Sequence, residues 1–169
     1  MVADGMLTRK RYREVPPRVD YELTERAQEL APILGELARW GYEWAWGPPR
    51  PSESVDLGAI FRLIPGLIEP GSTSSGTVVL TVSDGRAGEP MAYRVRLSNN
   101  AVTIAETDEG HADARVSGSA QAWVDALSPA DDRRGLSTSG DSRLADELLE
   151  RFALSAGESA DVAASVASA

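Results

Sequence analysis

The stretch Leu7–Trp46, LTRKRYREVPPRVDYELTERAQELAPILGELARWGYEWAW, decides how this chain is read. Leu7 to Arg13 and Arg18 to Leu23 are short runs suited to extended backbone, and Glu14-Val15-Pro16-Pro17 between them excludes helix and forces a turn. The pair therefore reads as a β-hairpin with a rigid tip. Thr24 has the hydroxyl side chain of an N-cap, and Glu25 sets a negative charge at the start of the helix that follows. From there Ala27, Leu30, Leu34, Leu37, Gly41 and Trp44 recur at spacings of three and four, with Ile33 and Trp40 widening the same face. At ~1.5 Å per residue a helix from Glu25 to Trp44 would run about 30 Å, more than a two-stranded hairpin can cover. Its apolar stripe needs another partner. Pro32 removes a backbone donor, so a bend is expected near Gln28 to Pro32.

Outward from this stretch, Gly47-Pro48-Pro49-Arg50-Pro51-Ser52 ends the helix and marks a boundary. Glu53 to Ile68 is a second candidate helix, its apolar face made by Val55, Leu57, Ile60, Phe61, Ile64, Leu67 and Ile68, with Pro65-Gly66 breaking its end. Alternating segments follow at Val78, Leu80, Val82, then Tyr93, Val95, Leu97, then Val102, Ile104, joined by Asp84-Gly85 and Asn99-Asn100 turns. They predict an antiparallel meander. Ala112 to Val116 extends it as a fourth strand, Ser119 to Leu127 reads as a helix, Gly135 to Ser139 as a short last strand and Asp141 to Phe152 as a closing helix. The alanine- and serine-rich tail from Ser155 to Ala169 has no pattern and is expected to be disordered.

Composition narrows the chemistry. Cysteine is absent, which removes disulfides, thiolate metal sites and thiol nucleophiles. His111 is the one histidine, so no histidine dyad or multi-histidine metal site can form within a subunit. No apolar run is long enough to span a bilayer and no basic-then-apolar leader opens the chain, so a cytoplasmic protein without membrane insertion is expected. The net charge is −9, yet Arg9, Lys10, Arg11, Arg13 and Arg18 face only Asp4 and Glu14 in the first eighteen residues. Only the hairpin is therefore a plausible phosphate-facing surface.

Two families are resembled. Asp4-Gly5-Met6-Leu7, Arg9, Tyr12, Pro16-Pro17-Arg18-Val19, Tyr21-Glu22-Leu23-Thr24, Glu29-Leu30, Pro32, Leu34, Leu37 and Trp40-Gly41 resemble the C-terminal half of the HxlR-type winged helix-turn-helix transcriptional regulators. That resemblance implies that Arg9, Lys10, Arg11, Arg13 and Arg18 belong to a DNA-contacting wing. It also implies that Leu30, Leu34, Leu37, Trp40 and Trp44 belong to a homodimer interface. The family's first helices, recognition helix included, have no counterpart, so the chain is expected to be an N-terminally incomplete regulator whose DNA binding is an ancestral role. From Glu53 onward, Val82-Ser83-Asp84-Gly85, Tyr93-Arg94-Val95, Ala112 through Ser119, Trp123, Leu127 and Ser139-Gly140-Asp141 resemble a sterol-carrier-protein type 2 domain. This second resemblance implies a pocket for a fatty-acyl or sterol-like ligand, for which Leu80, Val82, Tyr93, Val95, Ile104, Trp123, Leu148 and Phe152 are the candidate lining residues.

Plainer readings stand beside these. Basic residues protect edge strands, and five charges on one wing would give only weak, salt-sensitive attachment, roughly 10⁻⁴ M or worse. Trp40, Trp44 and Trp46 could pack on Phe61 within one chain as well as across a subunit seam. His111 with Glu106, Asp108, Glu109 and Asp113 reads more simply as a solvated loop than as a cation site, and Ser137, Ser139 and Asp141 as turn and cap residues rather than a hydrolase triad. The expected architecture is α+β: residues 1–47 a partial winged-helix element of β-hairpin plus long helix, 48–52 a linker, 53–154 an antiparallel-sheet and helix domain of sterol-carrier type, and 155–169 a tail. The expected function is a ligand-sensing transcriptional regulator that is not an enzyme and needs no cofactor or metal. A stand-alone lipid or acyl carrier that dimerises through its N-terminal helix is the alternative.

Overall fold

A computed structural model describes residues 1–12, 18–45, 47, 49–50, 53, 55–85, 88–107 and 110–152. The hairpin tip, Arg13, Trp46, Asp108, Glu109 and the C-terminal tail lie outside them. Strands β1 (Leu7–Tyr12) and β2 (Arg18–Leu23) pair antiparallel from Leu7↔Leu23 to Tyr12↔Arg18. Thr24 then caps α1 (Glu25–Gln28), accepting the Ala27 N–H at 3.3 Å while its hydroxyl donates to the Gly5 carbonyl at 2.7 Å. One side chain thus starts the helix and ties down the N-terminal arm.

The expected long helix is two helices. α1 stops at Gln28, and α2 (Ala31–Ala45) begins with Pro32 in its first turn, where the missing N–H leaves no intrahelical bond unmade. The break lies inside the span assigned to the bend. A larger correction concerns Glu53 to Ile68, which is not one helix. It forms α3 (Leu57–Phe61), capped by Asp56 through the Ala59 N–H at 3.0 Å, and α4 (Ile64–Leu67), with Pro65 in its only turn. Pro65 cannot donate an intrahelical bond and is tolerated in the first turn of a helix, so α4 is a separate short helix.

Strands β3 (Gly76–Val82), β4 (Met91–Leu97) and β5 (Val102–Glu106) form the meander, in register Val78↔Val95 and Val95↔Ile104. The sheet order is β5-β4-β3-β6-β7. β6 (Ala114–Gly118) runs parallel to β3, so the sheet is mixed and not wholly antiparallel; β7 (Ser137–Gly140) then pairs antiparallel with β6. The crossover returns the chain to the far edge of β3, since β4 already occupies the near one. Helix α5 (Ala120–Ala126) and a 3₁₀ turn (Arg133–Gly135) connect β6 to β7, and α6 (Ser142–Phe152) closes the fold. The last strand begins at Ser137 and not Gly135 because that turn occupies the expected start.

The polar motifs of this part are joints between elements. Asp84 Oδ1 accepts the Ala120 N–H at 2.5 Å and Ser119 Oγ accepts the Ala122 N–H at 3.1 Å, so both cap α5. Asp113 accepts the Thr77 N–H through Oδ2 at 2.8 Å, and its carbonyl accepts the Asp141 N–H at 2.8 Å. Asp141 in turn caps α6 through the Leu144 N–H at 3.1 Å. Gly140, at φ +82°, passes so close to Asp113 and Ala114 that a Cβ would overlap their backbone.

The core lies between one face of the sheet and helices α3 to α6. Phe61 is its centre, with ring centroids 4.9 Å from Trp123, 5.4 Å from Tyr93 and 5.9 Å from Phe152. The Trp123 indole N–H donates to the Thr81 carbonyl at 2.8 Å, which satisfies the one polar atom this ring buries.

Candidate functional site

Helix α2 presents two unlike faces. The apolar stripe read from the sequence is exposed: Ile33 is 63%, Leu37 59%, Trp40 59% and Trp44 71% accessible, and Leu30 and Leu34 are also exposed. The face that packs on the rest of the chain is built from small residues at Ala31, Gly35 and Ala38. A Cβ on Gly35 would overlap the Gly66 carbonyl, and one on Gly66 would overlap the Ala31 carbonyl. Backbone therefore lies directly on backbone where α2 crosses α4, and Arg39 donates to the Leu67 carbonyl beside the crossing. Trp40 and Trp44 do not pack on Phe61, whose neighbours are Tyr93, Trp123 and Phe152.

Next to this crossing is a cavity of about 450 Å³, within the ~300–1,000 Å³ usual for small-molecule sites. One wall is α2, through Ala38, Gly41 and Tyr42. The rim is the connection after it, through Gly47, Pro49, Glu53 and Val55. The floor is Leu57 and Ile60 of α3, then Leu63, with Val124 of α5, Leu127 and Phe152 of α6 closing the far side. Burial, with the Asp131 carboxylate acting second, holds the Tyr42 hydroxyl above its ordinary pKa of 10.0, so it is a neutral O–H at physiological pH.

Of the eight candidate pocket residues, Phe152 alone lines this cavity. Leu80, Val82, Tyr93, Val95, Trp123 and Leu148 are packed into the core beneath the sheet, and Ile104 is half-buried against it. Alternation identifies the inward face of a strand, and here those side chains are packed in the core against the helices. The lining comes instead from half-buried positions beside the core, such as Val55, Ile60, Leu63, Val124 and Leu127. The available signal was the spacing Ala31, Gly35, Ala38, Tyr42, a small-residue seam on the side of α2 away from the large ones.

In the hairpin, Lys10 pairs with Glu22 at 2.7 Å and Arg9 lies over the Tyr21 ring at 6.0 Å. The hairpin's positive charge is thus partly neutralised across the strands by Glu22. The backbone of Arg11 and Arg18 belongs to β1 and β2; Arg13 is outside the described residues. His111 Nε2 meets Asp113 Oδ1 at 2.9 Å. Asp113 titrates below its ordinary value, first because of the Thr77 N–H and second because of His111. Among the described residues no cluster of His, Asp and Glu could hold a metal ion, and no helix is long and apolar enough to cross a membrane. Ser137 and Ser139 are exposed on β7.

Comparison with known proteins follows the same division. Over the rest of the chain the likeness is to sterol carrier structures. The sterol carrier protein 2 like 2 of Aedes aegypti aligns over 56% of this chain and 94% of its own at 19% identity and TM-score 0.43. The sterol carrier protein domain 2 of Helicoverpa armigera aligns over 63% and 95% at 15% identity and TM-score 0.46. At the N-terminus, an HTH-type transcriptional regulator of Halalkalibacterium halodurans is 56% identical over 39 residues, 23% of this chain and 34% of the relative. The regulator YkvN of Bacillus subtilis is 49% identical over 43 residues, 25% of this chain and 36% of the relative. The chain spans about a third of the length of these curated relatives. Residues 1–47, the hairpin and the two-faced helix, match the family model of the HxlR-like helix-turn-helix.

Proposed function

We propose that this chain is the wing and dimer-helix portion of an HxlR-type transcriptional regulator, residues 1–47, joined to an apolar-ligand-sensing unit over residues 53–154, with no catalytic role. The observation that carries the reading is the position of α2. One of its faces walls the cavity through Ala38 and Tyr42, and a different face exposes Leu34, Leu37, Trp40 and Trp44, with Leu30 exposed just before the helix. Exposed apolar area of that size on one helix is characteristic of an interface, and a second copy of the helix fits it by symmetry. A ligand in the cavity touches the helix that would carry the dimer, so any difference in its affinity for two settings of α2 changes the dimer geometry. DNA contact through Arg9 and its neighbours belongs to the whole regulator in this reading.

The test uses the full chain. Native mass spectrometry after non-denaturing purification is expected to show an apolar adduct, and light scattering at tens of micromolar a dimer that Trp40→Ser with Trp44→Ser converts to monomer. A monomeric wild type with no adduct and no thermal shift on adding sterols or long-chain alcohols would sink the proposal.

A further inference from the structure

The cavity's polar complement is small and of one sign. Among the described residues that line it, only Tyr42 and Glu53 have polar side chains, and none is lysine, arginine or histidine. Glu53 Oε2 accepts the Arg50 backbone N–H at 3.2 Å, while Oε1 has no partner among the described residues. The Tyr42 hydroxyl also has no hydrogen bond among the described residues. The Asp131 carboxylate, close enough to act on Tyr42, is paired with Arg133 at 2.6 Å. A ligand entering here finds an apolar wall, one solvent-exposed carboxylate and one neutral hydroxyl.

We infer that the occupant is an amphiphile with an apolar body and a hydrogen-bond-donating head, an alcohol or an ammonium held by Glu53 and Tyr42, and not a fatty-acid carboxylate. The inference rests on reading the cavity as the ligand site. A donor head hydrogen-bonds Glu53 Oε1 in exchange for solvent and leaves Tyr42 free to accept or donate in turn. A carboxylate head would set like charge against Glu53 with no cation among the described lining residues to offset it. Because Glu53 is exposed, solvent screens that repulsion, and the discrimination is a moderate factor rather than an absolute one. This favours the sterol-like half of the expected ligand class over the free fatty acid.

The experiment compares three probes that share one chain and differ in the head: dodecan-1-ol, dodecylamine and dodecanoate. Each is titrated into the full-length chain at neutral pH below its micellar concentration, with displacement of a solvatochromic dye as readout. The alcohol and the amine are expected to bind at least about tenfold more tightly than dodecanoate. In Glu53→Gln the ratio of amine to dodecanoate affinity is expected to fall by about tenfold. Dodecanoate binding as tightly as the amine overturns the inference and leaves the cavity reading intact. A ratio unchanged in Glu53→Gln also overturns it, since the preference would then come from the net charge of −9 and not from the site. Saturable binding by none of the three overturns the cavity reading together with the inference.

Discussion

Replacing Gly35 with alanine tests the contact that sets α2 on the rest of the chain. An ideal Cβ at Gly35 falls on the Gly66 carbonyl, far inside the 3.4 Å at which ordinary Cβ contacts begin. Both partners are backbone, so no rotamer change relieves the overlap and the helices must part by about 1 Å. Overpacking of this kind costs about 1–3 kcal/mol, and a rigid backbone neighbour puts Gly35 at the upper end. Alanine recovers up to about 1 kcal/mol of helix propensity, leaving a net loss of about 2 kcal/mol. The parting also strains the Arg39 bond to the Leu67 carbonyl, so the loss falls on α2 and not on the sheet. Native-state hydrogen exchange is the suitable assay: about 2 kcal/mol raises the open population of α2 amides roughly thirtyfold, while amides of β3 and β4 keep wild-type protection. Gly41 is the internal contrast. It lies in the same helix with nothing within 4 Å of a built Cβ, so Gly41→Ala is expected to stabilise α2 by about 0.5–1 kcal/mol. Equal exchange in the two variants, or a loss of protection spread evenly over the sheet, would refute the backbone-on-backbone account.

The remaining predictions concern the sheet domain. Asp113 has its folded pKa below the ordinary value of 3.8, so the stability it contributes is fully present above the unfolded value and is lost as pH falls through the folded one. Asp113→Asn should therefore melt below wild type near neutrality, with the gap closing under acid; melting curves whose gap persists unchanged at low pH would disprove the linkage. On the face of β4 away from the core, Arg94 Nε and Nη2 are buried with no hydrogen-bond partner among the described residues, and the Gly110 turn lies close to the guanidinium. Arg94→Met is expected to be neutral or up to about 2 kcal/mol more stable in urea unfolding, and a loss above about 1 kcal/mol would show that the charge is compensated. Phe61→Ala removes the centre of the aromatic cluster and should cost about 3–5 kcal/mol; a loss below about 1 kcal/mol would mean that the cluster repacks around the hole.

Local signals made much of the fold legible. Thr24, Ser119 and Asp141 each cap the helix they introduce, because an N-cap is a contact between a side chain and a backbone N–H three residues on. The alternation in β3, β4 and β5 identifies their inward faces for the same reason of short range. Pro32 announced the break between α1 and α2. Pro65-Gly66 marks the end of the second helix in the sequence, yet the chain already leaves helix after Phe61 and resumes at Ile64, an interruption that the continuous apolar spacing concealed.

What the sequence by itself determined, then, was the identity and direction of the local elements, the uneven charge that singles out the hairpin, and an apolar stripe on α2 too large for the hairpin to cover. Only the tertiary structure decided that the stripe stays uncovered while Gly35 seats α2 on Gly66, that β6 lies parallel beside β3, and that the cavity lies beside the core. Periodicity reports which face of an element is apolar, and it contains no information about which apolar surface that face meets. A cavity is space left where packed elements fail to meet, so its lining is a property of their relative placement and not of any one segment.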